Sequence, residues 1–203
     1  MRAGAAALIC SDYRLLERVP VEDYFAGFGA SLLYPEGIPN FEPREDIRIT
    51  DRAPIVRAAS GRPGAVELVQ RRWSWPGPGG KPVYNFRSDG RAFGSGRCLI
   101  LADGFYEFTA HSDPKSKRKH KWLFTLKHEP WFGIAGLWRN DAAVGEAFTI
   151  LTCAPAPDVA LYHNRSIVVL PPADWARWLD PAVPARELLK PLPASSFEVS
   201  QVA

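Results

Sequence analysis

Proline and glycine recur so often along this chain that no stretch is left free to run as a long helix: 19 prolines and 16 glycines are spread through 203 residues rather than pooled in a linker. Each proline fixes φ and lacks a backbone donor, and glycines favour turns, so the chain is cut into short runs. The runs between these breaks have strand length and many β-branched and aromatic residues: Arg97 to Leu101, Phe105 to Phe108, Trp122 to Lys127, Trp131 to Leu137, Ala147 to Thr152 and Ser166 to Leu170. Ile47 to Val56 reads as a further strand. Helices are expected over Tyr13 to Phe28, whose apolar residues have roughly helical spacing, over Pro155 to Tyr162, and over Pro172 to Leu179, where Pro171-Pro172 suits a helix start. Gly77 to Lys81 is too rich in glycine and proline to be regular. It delivers the chain to Tyr84-Asn85-Phe86-Arg87, read as a loop bearing polar groups. The expected architecture is α+β: a single domain on a curved, barrel-like, mainly antiparallel sheet with a few short helices.

With 46% hydrophobic and 23% charged residues the chain can bury a sizeable core. The net charge of +3 favours an anionic partner only weakly. Three cysteines, Cys10, Cys98 and Cys153, lack the spacing of a disulfide framework or a zinc site, which points to a reducing cytoplasm. His111, His120 and His128 have no ligand spacing either, so neither metal nor cofactor is expected. Met1 to Cys10 is a poor signal peptide, and no stretch suits a bilayer. Lys115 to Lys121, with five lysines and arginines, reads as a solvated hairpin loop.

Four segments pair reactive side chains with an apolar frame: Ile9 to Arg14, Tyr84 to Asp89, Ala102 to Phe108, and Tyr162 to Arg165. Taken singly, each has an ordinary structural reading. His163 could be a hydrogen-bonded core histidine, Glu107 an outward strand residue, and Cys10 a small buried hydrophobe.

Taken together they resemble a known family. Arg97-Cys98-Leu99-Ile100-Leu101-Ala102-Asp103-Gly104-Phe105-Tyr106-Glu107 resembles the signature RCLVPADGFYEW of the SOS-response-associated peptidase (SRAP) family. Thr149 to Thr152 followed by His163-Asn164-Arg165 is similar to its TILT…HDR block, Tyr84 to Asp89 to its YNARSE block, and Arg72-Trp73 to its RWG element. Pro171 to Leu179 resembles its PPEDWDAWL close. The resemblance implies the family's fold over about residues 10–195. It also implies single-stranded DNA carrying abasic sites as partner, in a monomeric cytoplasmic protein that joins the nucleoid when bound to DNA.

The resemblance further implies that an N-terminal cysteine, here Cys10, is joined to the sugar aldehyde of the abasic site. A free α-amine, titrating near ~7.7–8.0, attacks the aldehyde to give an imine, and the thiol closes a thiazolidine. Glu107 and His163 would move the protons and Asn85 would orient the amine or aldehyde. Arg87, Arg165 and Thr152 would bind DNA, with Trp73 either stacking on a base or filling the core.

One departure bears on this chemistry. The family's cysteine follows the initiator methionine, whereas Ile9 precedes Cys10 here, and an amide nitrogen cannot form an imine. Residues 1–9 are a misassigned start, a removable leader, or the mark of a chain that has lost covalent capture. Two other readings stand beside capture: a cysteine-type, self-processing hydrolase using Cys10, His163 and Glu107, and a non-covalent single-stranded DNA binder.

Overall fold

A computed structural model describes residues 9–113 and 115–203, so the expected leader lies outside the described residues except for Ile9. Strand β1 (Asp12–Leu15) leads into helix α1 (Val21–Gly27), then β2 (Ser31–Leu33), β3 (Arg44–Arg48), β4 (Arg52–Ala58) and β5 (Ala65–Trp73). The short β6 (Trp75–Pro76), β7 (Pro82–Val83) and β8 (Asn85–Arg87) precede the long strands β9 (Arg97–Ala102), β10 (Gly104–Ala110), β11 (Lys119–Leu126), β12 (Phe132–Asp141) and β13 (Gly145–Cys153). The chain closes with β14 (Ser166–Ile167), β15 (Val169–Leu170), helix α2 (Trp175–Leu179) and β16 (Phe197–Gln201). No helix among the described residues is long and apolar enough to cross a membrane.

Strands β13, β12, β9, β4 and β5 pair in that order, and β5 returns to β13 through Ala147↔Arg72 and Phe148↔Trp73, closing a ring. Closure leaves these strands without the open edge that a flat sheet presents. β9 is buried along its whole length because β4 and β12 flank it and the α2 tryptophans cover it, Trp178 donating its indole N–H to the Cys98 carbonyl at 2.8 Å. That is why Cys98 to Ala102 reads as an unbroken apolar run rather than an alternating one. The second sheet, five strands in the order β16, β11, β10, β1, β3, carries the N-terminal segment against β10.

The chain crosses from ring to second sheet at Asp103-Gly104. The Asp103 carboxylate accepts from Arg14 Nε at 2.5 Å and from the Leu16 amide, fixing β1 to this corner. Gly104 allows the approach: a Cβ there would lie 2.9 Å from Arg14 Nε and 2.8 Å from a Leu123 methyl. The motif Ala102-Asp103-Gly104 is thus the hinge that aims Glu107 along β10 towards Cys10.

The barrel-like α+β expectation holds. Several local expectations change. Tyr13 to Phe28 is β1 followed by a helix of only seven residues, since Pro20 sets the helix start and β1 finds partners in β10 and β3. Ile47 to Val56 is two strands, broken where Thr50 takes φ +83°. Tyr84 to Arg87 is not a loop, because Asn85–Arg87 pairs in parallel with β13. Pro155 to Tyr162 forms turns rather than a regular helix. Lys121 is not simply solvated: its ammonium lies 2.8 Å from Asp12 and 2.5 Å from Asp46. The chain beyond residue 195 adds β16 to the edge of β11.

Candidate active site

Cys10 sits at the mouth of β1, fully buried, in a left-handed backbone conformation with φ +34°. A non-glycine residue there carries strain of order 1–3 kcal/mol, which its neighbours must hold in place. Two side chains grip the peptide bond before it. The Cys10 amide donates to Glu107 Oε1 at 3.2 Å, and Asn85 Nδ2 donates to the Ile9 carbonyl. The Cys10 thiol donates to the Asp12 carbonyl at 3.6 Å.

Strand geometry explains the convergence. Along β10, Phe105 and Glu107 share one face, and the pairing Tyr13↔Phe105 lays the segment before β1 alongside Glu107. Asn85 arrives from β8, whose register with β13 pairs Asn85 with Ile150 and Arg87 with Thr152. Alternation places Asn85 and Arg87 on the same face and Phe86 on the other.

Glu107 has no exposed surface, and its second oxygen has no hydrogen-bond partner among the described residues. Burial pushes its carboxyl up to about 8, with the Cys10 amide pulling weakly the other way, so it is mostly protonated at neutral pH. Burial also raises the Cys10 thiol well above its ordinary value, and nearby Glu107 adds to the rise. The pair is therefore a neutral acid beside a neutral thiol. Asn85 Oδ1 is likewise buried without a partner among the described residues, leaving an acceptor open to a further donor.

A second group lies where β8 and β13 end. Arg165 donates to the Thr152 carbonyl at 2.9 Å and to its hydroxyl at 3.3 Å, and it also grips the Asp89 carboxylate. Its own amide donates to His163 Nδ1 at 3.0 Å, which places the proton of a neutral His163 on Nε2. Arg87 is exposed beside this group.

The predicted site residues thus fall into two linked sets, Cys10 with Asn85 and Glu107, and His163 with Arg165 and Thr152, with β8 joining them. Trp73 belongs to neither. It is fully buried, edge-on to Tyr13 at 5.2 Å and parallel to Phe148 at 6.4 Å, and its indole N–H donates to the Tyr84 carbonyl at 2.9 Å. Stacking on a base requires an accessible ring face, so of its two sequence readings the structure supports the core one, in which Trp73 holds the start of β8. The partner that sequence reasoning did not assign is Asp89. Its acidic side chain next to a predicted phosphate-binding arginine was the available signal.

The profile of the SOS response associated peptidase (SRAP) family matches residues 14–203, a span that starts just after Cys10. The abasic site processing protein YobE of Bacillus subtilis is 31% identical over 121 residues, 56% of this chain and 54% of that protein. The abasic site processing protein YoqW of Bacillus phage SPbeta is 32% identical over 117 residues, 54% of this chain and 51% of that one. The chain spans about half the length of these curated relatives. Among solved structures, a phage-related protein of Bordetella bronchiseptica superposes with TM-score 0.69 and 26% identity over 95% of this chain and 94% of the other. A protein of Bacteroides thetaiotaomicron superposes with TM-score 0.71 at 17% identity, over 96% and 92% of the two chains, a likeness of fold alone.

Proposed function

The chain belongs to the SOS response associated peptidase (SRAP) family, and on that premise we propose that it processes abasic sites by capturing them covalently in single-stranded DNA. The observation that carries this reading is the approach of Glu107 Oε1 to Cys10 N at 3.2 Å. Once Cys10 is an N-terminus, its amine titrates near ~7.7–8.0, and Glu107, which burial keeps protonated beside an uncharged nitrogen, is the group within reach to exchange a proton with it. The neutral amine adds to the aldehyde carbon, the carbinolamine hydroxyl takes a proton from Glu107 and leaves as water, and the nitrogen returns a proton to Glu107, leaving an imine. The Cys10 sulfur then adds to the imine carbon and its proton moves to the nitrogen, closing a thiazolidine with net loss of one water. Asn85, with its open acceptor, orients the incoming sugar. His163 moves protons on the DNA side, and Arg87, Arg165 and Thr152 hold the adjoining phosphates.

A protein beginning at Cys10 is expected to gain the mass of an abasic oligonucleotide less one water, and none from an intact oligonucleotide. Cys10→Ala should abolish the adduct while leaving single-strand binding. Binding without any adduct would instead support the non-covalent reading.

A second reading is favoured by the grip on the Ile9–Cys10 peptide bond: in a chain with residues before Cys10, the same site releases them. The thiol adds to the Ile9 carbonyl carbon while Asn85 stabilises the developing oxyanion. The carbon–nitrogen bond then breaks as Glu107 protonates the Cys10 nitrogen and takes up the proton the thiol has lost, which frees the Cys10 amine, and water hydrolyses the thioester to restore the thiol. Mass spectrometry of the full chain over time should show loss of residues 1–9, and a Glu107→Gln chain should keep them.

A further inference from the structure

Beyond the ends of β8 and β13 lies a groove of about 720 Å³, lined by residues 88–94, by Cys153 and Ala154, and by the segment after α2. Buried Arg97 holds its linings together. Nε donates to the Phe93 carbonyl at 2.7 Å, and Nη1 to the carbonyls of Asp180 and Val183, both at 2.9 Å. The groove is therefore a fixed feature of the fold rather than a gap between mobile loops.

Its charge is one-sided. Arg91, Arg186 and Lys190 line it and are exposed, and no ion pair among the described residues engages them. Asp89 is the acid in the lining, and its carboxylate is already committed to Arg165. Phe93 and Leu189 supply half-buried apolar surface between the cations. The groove is also continuous with the candidate site, since Ser88 directly follows the end of β8 at Arg87, its amide donating to the Thr152 carbonyl at 2.9 Å, and Cys153 follows Thr152 along β13.

Unpaired cations spaced along an apolar channel fit a flexible polyanion with flat faces. Resting on the reading of this protein as a binder of abasic DNA, we propose that the groove takes the nucleotides on one side of the lesion. Their phosphates meet Arg91, Arg186 and Lys190, and a base lies against Phe93 and Leu189. The structure thereby extends the DNA footprint asymmetrically from Arg87 and Arg165.

The test measures binding of single strands by fluorescence anisotropy for Arg186→Ala/Lys190→Ala, with Arg62→Ala/Lys127→Ala as an equal-charge control. Each phosphate contact to a single strand contributes a salt slope of roughly −0.7, so losing two flattens the slope by about 1.4. Between 50 and 200 mM salt, the variant's affinity should then fall about sevenfold less than the wild type's. The difference should vanish when one flank of the strand is cut to a single nucleotide and persist when the other is cut. An unchanged slope, equal flattening in the control pair, or a loss independent of both flanks would overturn the groove assignment. If a Cys10-initiated protein forms no adduct while the slope still flattens, covalent capture fails and the groove stands. If the adduct forms and the slope does not move, the groove fails and covalent capture stands.

Discussion

Two glutamates, one half-buried on the ring and one fully buried on the second sheet, end in opposite states. Glu146, on β13, accepts from Arg71 Nε at 2.5 Å and from Arg57 Nη1 at 3.0 Å. Arg57 also binds Glu67 at 2.7 Å and lies 3.9 Å from the Trp138 ring centroid. Burial works to raise Glu146, but the two guanidinium partners outweigh it and hold its carboxyl below the ordinary value. Glu107 is buried more deeply, and the hydrogen bond to one of its oxygens comes from an uncharged amide, so burial wins and it titrates near 8. Burial alone therefore does not decide what an acid can do. The charge of its partner makes Glu146 a brace between strands and leaves Glu107 an acid able to give up a proton near neutral pH.

The largest expected effect is at the unpaired acid. Glu107→Gln keeps the shape but cannot give a proton, so adduct formation should slow by about 10²–10⁴-fold. The wild-type rate should fall as pH rises through about 8, and the variant's should not. Rapid-quench kinetics across pH 6–9 would show this, and a variant retaining the wild-type pH profile would remove Glu107 from the chemistry. Stability should divide the two acids as well. The native Glu107 value lies above its ordinary 4.5, so the native state keeps a proton that the unfolded chain releases between about 4.5 and 8. That contribution is complete below the window and is lost as pH rises through it. Glu107→Gln should therefore gain on the wild type in thermal melts as pH rises from 5 to 8. Glu146 has the opposite sign, and its contribution is lost as pH falls through its lowered native value.

A middle-sized effect is expected at the brace. Arg57→Met leaves Glu67 and Glu146 short of a partner, and breaking a buried pair costs about 3–5 kcal/mol. Solvent still reaches both carboxylates in part, so a loss of about 2 kcal/mol is expected in urea unfolding, with adduct chemistry unchanged. A change in adduct rate at constant stability would mean that the two regions are coupled.

The smallest effect separates the two arginines near the lesion. Arg87→Ala should flatten the salt dependence of single-strand binding by roughly 0.7. Arg165→Ala should flatten it less, because Asp89 already neutralises much of its charge. Equal slopes for the two variants would show that DNA displaces Asp89.

The strands that proved most legible, β9 to β13, carry their signal locally: dense runs of β-branched and aromatic residues bounded by glycine, proline or charge. The misread segments lack such a signal. β1 and β8 are too short to be recognised by pattern, and each is a strand because of its neighbours, β10 and β3 for one and β13 for the other. Thr50 breaks the run from Ile47 to Val56 at a position with no glycine or proline to announce the turn. Lys121 looked solvated in a basic run until folding brought Asp12 and Asp46 beside it.

By itself the sequence determined the family, the barrel-like class and the residue types available for chemistry, because side-chain identity and local β-preference are written in order along the chain. Only the tertiary structure decided which acid stays protonated, which arginine is already spoken for, and that Trp73 faces the core. Each of those depends on distance and solvent exposure between residues far apart in sequence, and neither quantity exists until the ring closes and β1 is pinned against β10.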